Sequence, residues 1–155
     1  MNTLLLAPEL FSSEGGIPRI LRLYLKALCE LSEPSGNVTV VSLNDASFDS
    51  RDLRQYSSDR LADWAACDRH KLRFVKAAQR MATSADLVVC GHIGQLPVAW
   101  ALRKLRRRPI RYALVAHGIE VWRPFSRIER LALRGADRIC TAIAESRACT
   151  SSPVI

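Results

Sequence analysis

Three short stretches of the chain combine residue types that can do chemistry. ALVAHGIEVWRP, Ala113–Pro124, passes from an apolar run to an imidazole, a glycine, a carboxylate and an indole. His117 can act as a general base, donate a hydrogen bond to a hydroxyl, or sit satisfied in a structural role. Gly118 follows it at the carboxyl end of the apolar run, a placement that favours a ligand-facing pair. Glu120 can accept hydrogen bonds from a substrate or from backbone N–H groups. An ion pair with one of the many arginines is its plainer role. Trp122 reads as packing. In Gly91-His92 a second histidine follows an apolar run, and it ranks below His117. Two histidines without a third ligand do not make a metal site, so no metal is expected.

The third stretch is SEGGIPR, Ser13–Arg19. Adjacent glycines, Gly15 and Gly16, allow a sharp turn and a close approach of the backbone to a ligand. The N–H groups of a helix starting there can bind a phosphate or a sugar hydroxyl. The alternative is a tight strand–helix turn with no ligand. The Gly-x-Gly-x-x-Gly fingerprint is absent, yet Asp45 follows the next strand, which keeps a nicotinamide-nucleotide reading open.

Elements must exist to position these groups. Thr3–Ala7 is a continuous apolar run, as expected of a strand covered on both faces. Arg19–Leu31 repeats apolar residues near every 3.6 positions, the mark of an amphipathic helix, with Pro18 in its tolerant first turn. Asn37–Leu43 is rich in β-branched residues and reads as a strand. Asn44–Ser58 reads as loop, and Leu61–Ala82 as helix in two pieces. Then come a strand at Ala85–Cys90, a helix at Leu96–Leu105, a strand at Arg111–Ala116 and a helix at Ser126–Arg134. Gly135 is the expected cap of that helix, and a strand starts at Asp137.

This alternation predicts an α/β, Rossmann-like parallel sheet with helices on both faces. In such sheets ligands bind outside the carboxyl ends of the strands. Gly15-Gly16, Asn44-Asp45, Gly91-His92 and His117-Gly118-Ile119-Glu120 all fall on that edge.

The bulk numbers exclude some classes. The chain has 155 residues, enough for one domain with a core, and a net charge of +8, which favours anionic partners. RKLRRRPIR, Arg103–Arg111, holds six basic residues. It could attract an anionic membrane surface or nucleic acid, but a solvated helix end is the favoured reading, and no aromatic residues interleave to stack bases. The five cysteines include no Cys-x-x-Cys pair. Cys29, Cys90 and Cys140 lie in apolar segments, consistent with reduced core residues in a cytoplasmic protein. The N-terminal stretch lacks the basic region of a signal peptide, and no apolar run is long enough to span a membrane.

The order EGGIPRILRLYLKAL, ADLVVCGH, ALVAHGIEVWRP, RIERLALRGADRIC resembles the N-terminal domain of family 4 glycosyltransferases, which have the two-domain GT-B fold. The resemblance covers residues 3 to about 141, leaving 142–155 as a divergent tail. It implies retaining transfer of a sugar from a nucleotide-sugar to a sugar or lipid-linked acceptor. No cofactor or metal would be needed. It matches Gly15 and Gly16 to a glycine loop near the donor phosphate and acceptor, and His117 to a catalytic-site histidine touching the transferred sugar. His92, Gly118 and Glu120, on the same strand-end edge, are the further substrate-binding candidates; Glu120 sits in the His117 motif, and the resemblance gives it no definite role. The ending TAIAESRACTSSPVI departs from the family, as a truncated or frameshifted reading frame would. A chain without the donor-binding half would be inactive, and contact with the inner face of the membrane would be peripheral. Two other classes remain: an NAD(P)- or other nucleotide-binding Rossmann-type enzyme, and a non-catalytic basic module for a membrane surface or partner.

Overall fold

Every residue of Thr3–Ala7 is buried. A strand buried on both faces needs neighbours on both edges and helices above and below it. In the computed structural model, which describes residues 1–106, 110–118 and 124–141, this strand, β1, is the inner strand that meets both requirements. It pairs in parallel with β2 (Val38–Ser42) on one side and with β4 (Leu87–Cys90) on the other. Beyond β2 lies β3 (Leu61–Ala66), and beyond β4 lie β5 (Arg111–Ala116) and β6 (Arg138–Thr141). The six-stranded sheet has the order β3-β2-β1-β4-β5-β6, with all pairings parallel.

The helices are α1 (Gly16–Leu31), α2 (Ser50–Tyr56), α3 (Lys71–Ala82), α4 (Leu96–Leu105) and α5 (Arg127–Arg134). A strand–helix–strand crossover is right-handed, so the side a helix takes depends on which way the sheet is growing. Growth goes from β1 toward β3 and then restarts at β4 in the other direction. The core divides accordingly. Leu5, Ala7, Val38, Val40, Val89 and Val115 pack with Leu21, Leu25 and Cys29 of α1. Leu4, Leu6, Val88, Cys90, Leu114 and Ala116 form the opposite layer with residues of α3, α4 and α5. The alternation of Leu4, Leu5 and Leu6 between the two layers is the period of two of a strand.

The α/β class, the parallel sheet and most element positions agree with the sequence reading. Two segments differ. Leu61–Ala66 is an edge strand rather than a helix. Its alanines favour helix, but it pairs with β2, with a register shift at Val38/Thr39. Ser50–Tyr56 is a helix rather than loop, started by Asp49, whose carboxylate accepts from Arg51 N at 2.7 Å. That is the ordinary N-cap bond of a helix too short to show a period.

Cys29, Cys67 and Cys90 are buried free thiols and Cys140 is half-buried. Burial pushes the thiols of Cys29, Cys67 and Cys90 up from their ordinary value. Among the described residues no helix is long and apolar enough to cross a membrane.

Candidate functional site

The sheet reverses its direction of growth between β1 and β4, and the crevice outside their carboxyl ends is where such sheets bind ligands. The loops after β1, β4 and β5 meet there.

The β1–α1 loop is held from below by Asp45. This carboxylate is 1% exposed. It accepts from the N–H groups of Leu10, Phe11 and Ser12 at 2.7, 2.9 and 2.6 Å, and from the hydroxyl of Ser42. Four donors satisfy a buried carboxylate well. Asp45 is therefore a clamp between β2 and the loop, and the ribose-binding role that the sequence left open to it is taken by the protein's own backbone.

Above the clamp, α1 starts at Gly16. Gly15 is extended (φ −104°, ψ 170°), no side chain caps the helix, and its first turn carries no acidic residue. No described glycine has positive φ, so the glycine pair makes no left-handed turn. Gly16 leaves room, since a Cβ there would meet nothing within 4 Å, whereas a Cβ on Gly15 would lie 3.3 Å from Pro18 Cδ. The N–H groups of Gly16 and Ile17 have no intrahelical acceptor, as at any helix start. Pro18 brings no N–H, and Arg19 N makes the first backbone bond, to Gly15 O at 3.2 Å.

On the β4 side, Gly91 is required by packing. A Cβ there would lie 2.7 and 2.8 Å from the methyl groups of Leu21 and 3.1 Å from Leu6 O. Its hydrogen lets α1 settle close to the sheet. His92 is half-buried, and its Nδ1 accepts from Gly94 N at 2.9 Å, which caps the 3-10 turn Ile93–Gln95. His117, at the end of β5, is 5% exposed, and its Nε2 lies 3.0 Å from Gly91 O. A carbonyl only accepts, so Nε2 carries the hydrogen and donates. That nitrogen fastens the end of β5 to the end of β4 and is not the atom that would meet a ligand. Gly118 follows in open space, where a Cβ would have nothing within 4 Å. Glu120 and Trp122 lie outside the described residues.

Two polar groups at this edge were not singled out from the sequence. Gln95, the residue before α4, is 4% exposed and neither of its amide atoms has a hydrogen-bond partner. Arg22 on α1 is 7% exposed, and its Nε is also unpartnered. Nothing in the local pattern marks either one. An arginine two turns into an amphipathic helix reads as surface until the loop that covers it is placed.

The basic stretch lies at the opposite, amino edge. Arg106 donates to Ala85 O at 2.9 Å and to Thr83 O at 2.7 Å, and Arg103 pairs with Asp137 at 3.0 Å. Arg107 and Arg108 are outside the described residues. Two hollows of about 540 Å³ also lie away from the candidate edge. One is at the amino edge, between Asp86, Arg106 and Arg111. The other lies on the sheet face beside Tyr24 and Leu28 of α1. Among the described residues no group of three His, Cys, Asp or Glu side chains is placed to hold a metal.

No family model and no curated protein matches the chain. A solved structure that is similar to it is an FMN-dependent cysteine decarboxylase, TvaF, from thioviridamide biosynthesis. It is 15% identical over 92% of this chain and 89% of that one, with a TM-score of 0.46. At that distance the likeness assigns no activity to this chain. No family model or curated protein supports the assignment to family 4 of the glycosyltransferases, and it is corrected to the Rossmann-like α/β fold that the sheet shows. The GT-B description, the sugar-transfer activity and the expectation of no cofactor go with it. Of the motifs that carried the resemblance, His117 is bound to Gly91, His92 caps a turn, and Gly16 faces open space.

Proposed function

We propose that the chain is a Rossmann-type domain that binds a phosphate-bearing nucleotide at the carboxyl edge of its sheet, with the phosphate on the N-terminus of α1. The observation that carries this reading is the state of that terminus. It opens beside the β1–β4 switch point without a cap, without an acidic neighbour in its first turn, and with space where a side chain would stand on Gly16. A helix start concentrates unpaired N–H groups and the positive end of the helix dipole, both of which favour an anion. The net charge of +8 acts in the same direction.

The residues present fit the phosphate part of such a ligand. Gly16 and Ile17 N–H would hold it, and the Asp45 clamp fixes the loop that delivers them. The His117–Gly91 bond keeps the neighbouring strand ends, with Gly118 and His92, in place as the rim of the crevice. A bound nucleotide would supply whatever redox or group-transfer chemistry follows. With Asp45 occupied, recognition of a ribose falls to other groups.

Calorimetry with matched pairs tests the reading: ADP against adenosine, NAD against nicotinamide riboside, and FMN, the cofactor named for TvaF, against riboflavin. The phosphorylated member of a pair should bind and its partner should not. Gly16→Asp places a carboxylate at the helix start in open space, so it should fold and weaken binding by about ten-fold. Equal binding of both members of every pair, or no binding at all, would overturn the proposal.

A further inference from the structure

Arg22 lies two turns into α1, and helical side chains lean toward the N-terminus of their helix. Its guanidinium reaches back to the loop before α1. Nη1 donates to Leu10 O at 3.1 Å and Nη2 to Glu14 Oε2 at 3.3 Å. The rings of Phe11 and Tyr56 flank it, with centroids 5.8 and 5.5 Å from Cζ.

Nε and Nη2 form one edge of a guanidinium, a two-donor fork that matches a carboxylate or phosphate. Glu14 takes only the Nη2 arm. The Nε–H is buried with no acceptor. A guanidinium removed from water needs a good anionic partner, yet Glu14 is 89% exposed and such a pair is weak. The rest of the loop is tied down. Asp45 holds the N–H groups of Leu10, Phe11 and Ser12, and Glu9 accepts from the hydroxyls of Ser12 and Ser13, both at 2.9 Å. Between Ser13 and the start of α1 only Glu14 and Gly15 are left, and the contact with Arg22 is the tie described for the Glu14 side chain.

We propose that Arg22 is the cation of the α1 anion site and that Glu14 is a stand-in carboxylate which an incoming anion replaces. The inference rests on the reading that α1 seats a phosphate, and it narrows the ligand to a phosphate or diphosphate ester. Such a group has enough acceptor oxygens to fill both arms of the fork and still take the N–H groups of Gly16 and Ile17. Glu14 then swings to solvent, where its carboxylate is already well hydrated.

The test uses inorganic pyrophosphate on the whole chain, with calorimetry and the ¹⁵N resonance of the Arg22 Nε–H. Glu14 is exposed, so Glu14→Gln should fold normally. It should bind pyrophosphate about two- to five-fold more tightly than the parent chain, the equivalent of one weak exposed ion pair. The Nε–H resonance should move on binding in both proteins, because that donor gains its acceptor. Pyrophosphate binding that is weakened by Gly16→Asp but indifferent to Glu14→Gln, with the Nε–H resonance unmoved, would overturn this inference and leave the phosphate site standing. No pyrophosphate binding by either protein would overturn both.

Discussion

Two buried groups show how much of this fold depends on single polar contacts. Asp45 completes hydrogen bonds for three backbone N–H groups and a hydroxyl. Asp45→Ala would leave those donors inside the protein without an acceptor. Each orphaned buried donor costs about 1–3 kcal/mol, some of it recovered by relaxation, so a net loss of about 3 kcal/mol is expected in urea unfolding. A stable Asp45→Ala protein would show that the loop finds other acceptors. Tyr112 is fully buried and its hydroxyl donates to Ala132 O at 2.5 Å. Burial pushes its phenol up to about 12. The folded form thus keeps a proton that the unfolded chain releases near pH 10, and stability must fall as pH rises through that window. Buried Cys90 acts with the same sign from a lower starting point. Unfolding midpoints should therefore decline between pH 10 and pH 12, and Tyr112→Phe should flatten the upper part of that decline. An unchanged slope in Tyr112→Phe would remove Tyr112 from the account.

At the scale of elements, glycines act here through the space they leave. Gly135 caps the end of α5, as the sequence suggests, with φ −88° and ψ −3°. The reason for glycine is steric: a Cβ would lie 2.5 Å from the Tyr112 hydroxyl and 3.5 Å from Trp100. Gly135→Ala should thus destabilise by about 1–3 kcal/mol, the usual range for overpacking. Its cost should shrink in a Tyr112→Phe background, where the colliding oxygen is gone. Additive losses in that double-mutant cycle would contradict the steric explanation. Helix ends were more legible than helix starts: α1, α3, α4 and α5 close at Leu31, Ala82, Leu105 and Arg134, where the sequence places them. Ser126 caps α5 with Glu129 in a reciprocal capping box, a local spacing that can be read directly. The strand β3 was not legible, because LADWAA has alanines that favour helix and becomes a strand only beside β2.

At the scale of the whole molecule, charge and topology act together on the candidate site. The carboxyl edge carries an uncapped helix start and a buried guanidinium, within a chain of net charge +8. An anion drawn by that field should bind less tightly as salt screens it. Pyrophosphate affinity should fall several-fold from low to high ionic strength, while the urea midpoint moves little because apolar burial on both sheet faces carries the fold. An affinity insensitive to salt would argue against an electrostatic site.

The sequence alone determined the alternation of strands and helices, and with it the α/β class. Apolar runs such as TLLLA and the 3.6-residue period of RILRLYLKAL are local patterns, and local patterns follow from whether an element has one buried face or two. It also marked the strand ends where glycines and histidines gather. Only the tertiary structure decided the strand order, which depends on pairing between segments distant along the chain. Only the tertiary structure decided what the polar groups do as well. Asp45, His117 and Arg22 all find partners far from their own sequence neighbours, in Leu10, Gly91 and Glu14. A hydrogen bond is short and directional, so its partner is fixed by where the chain folds back, which no periodicity records.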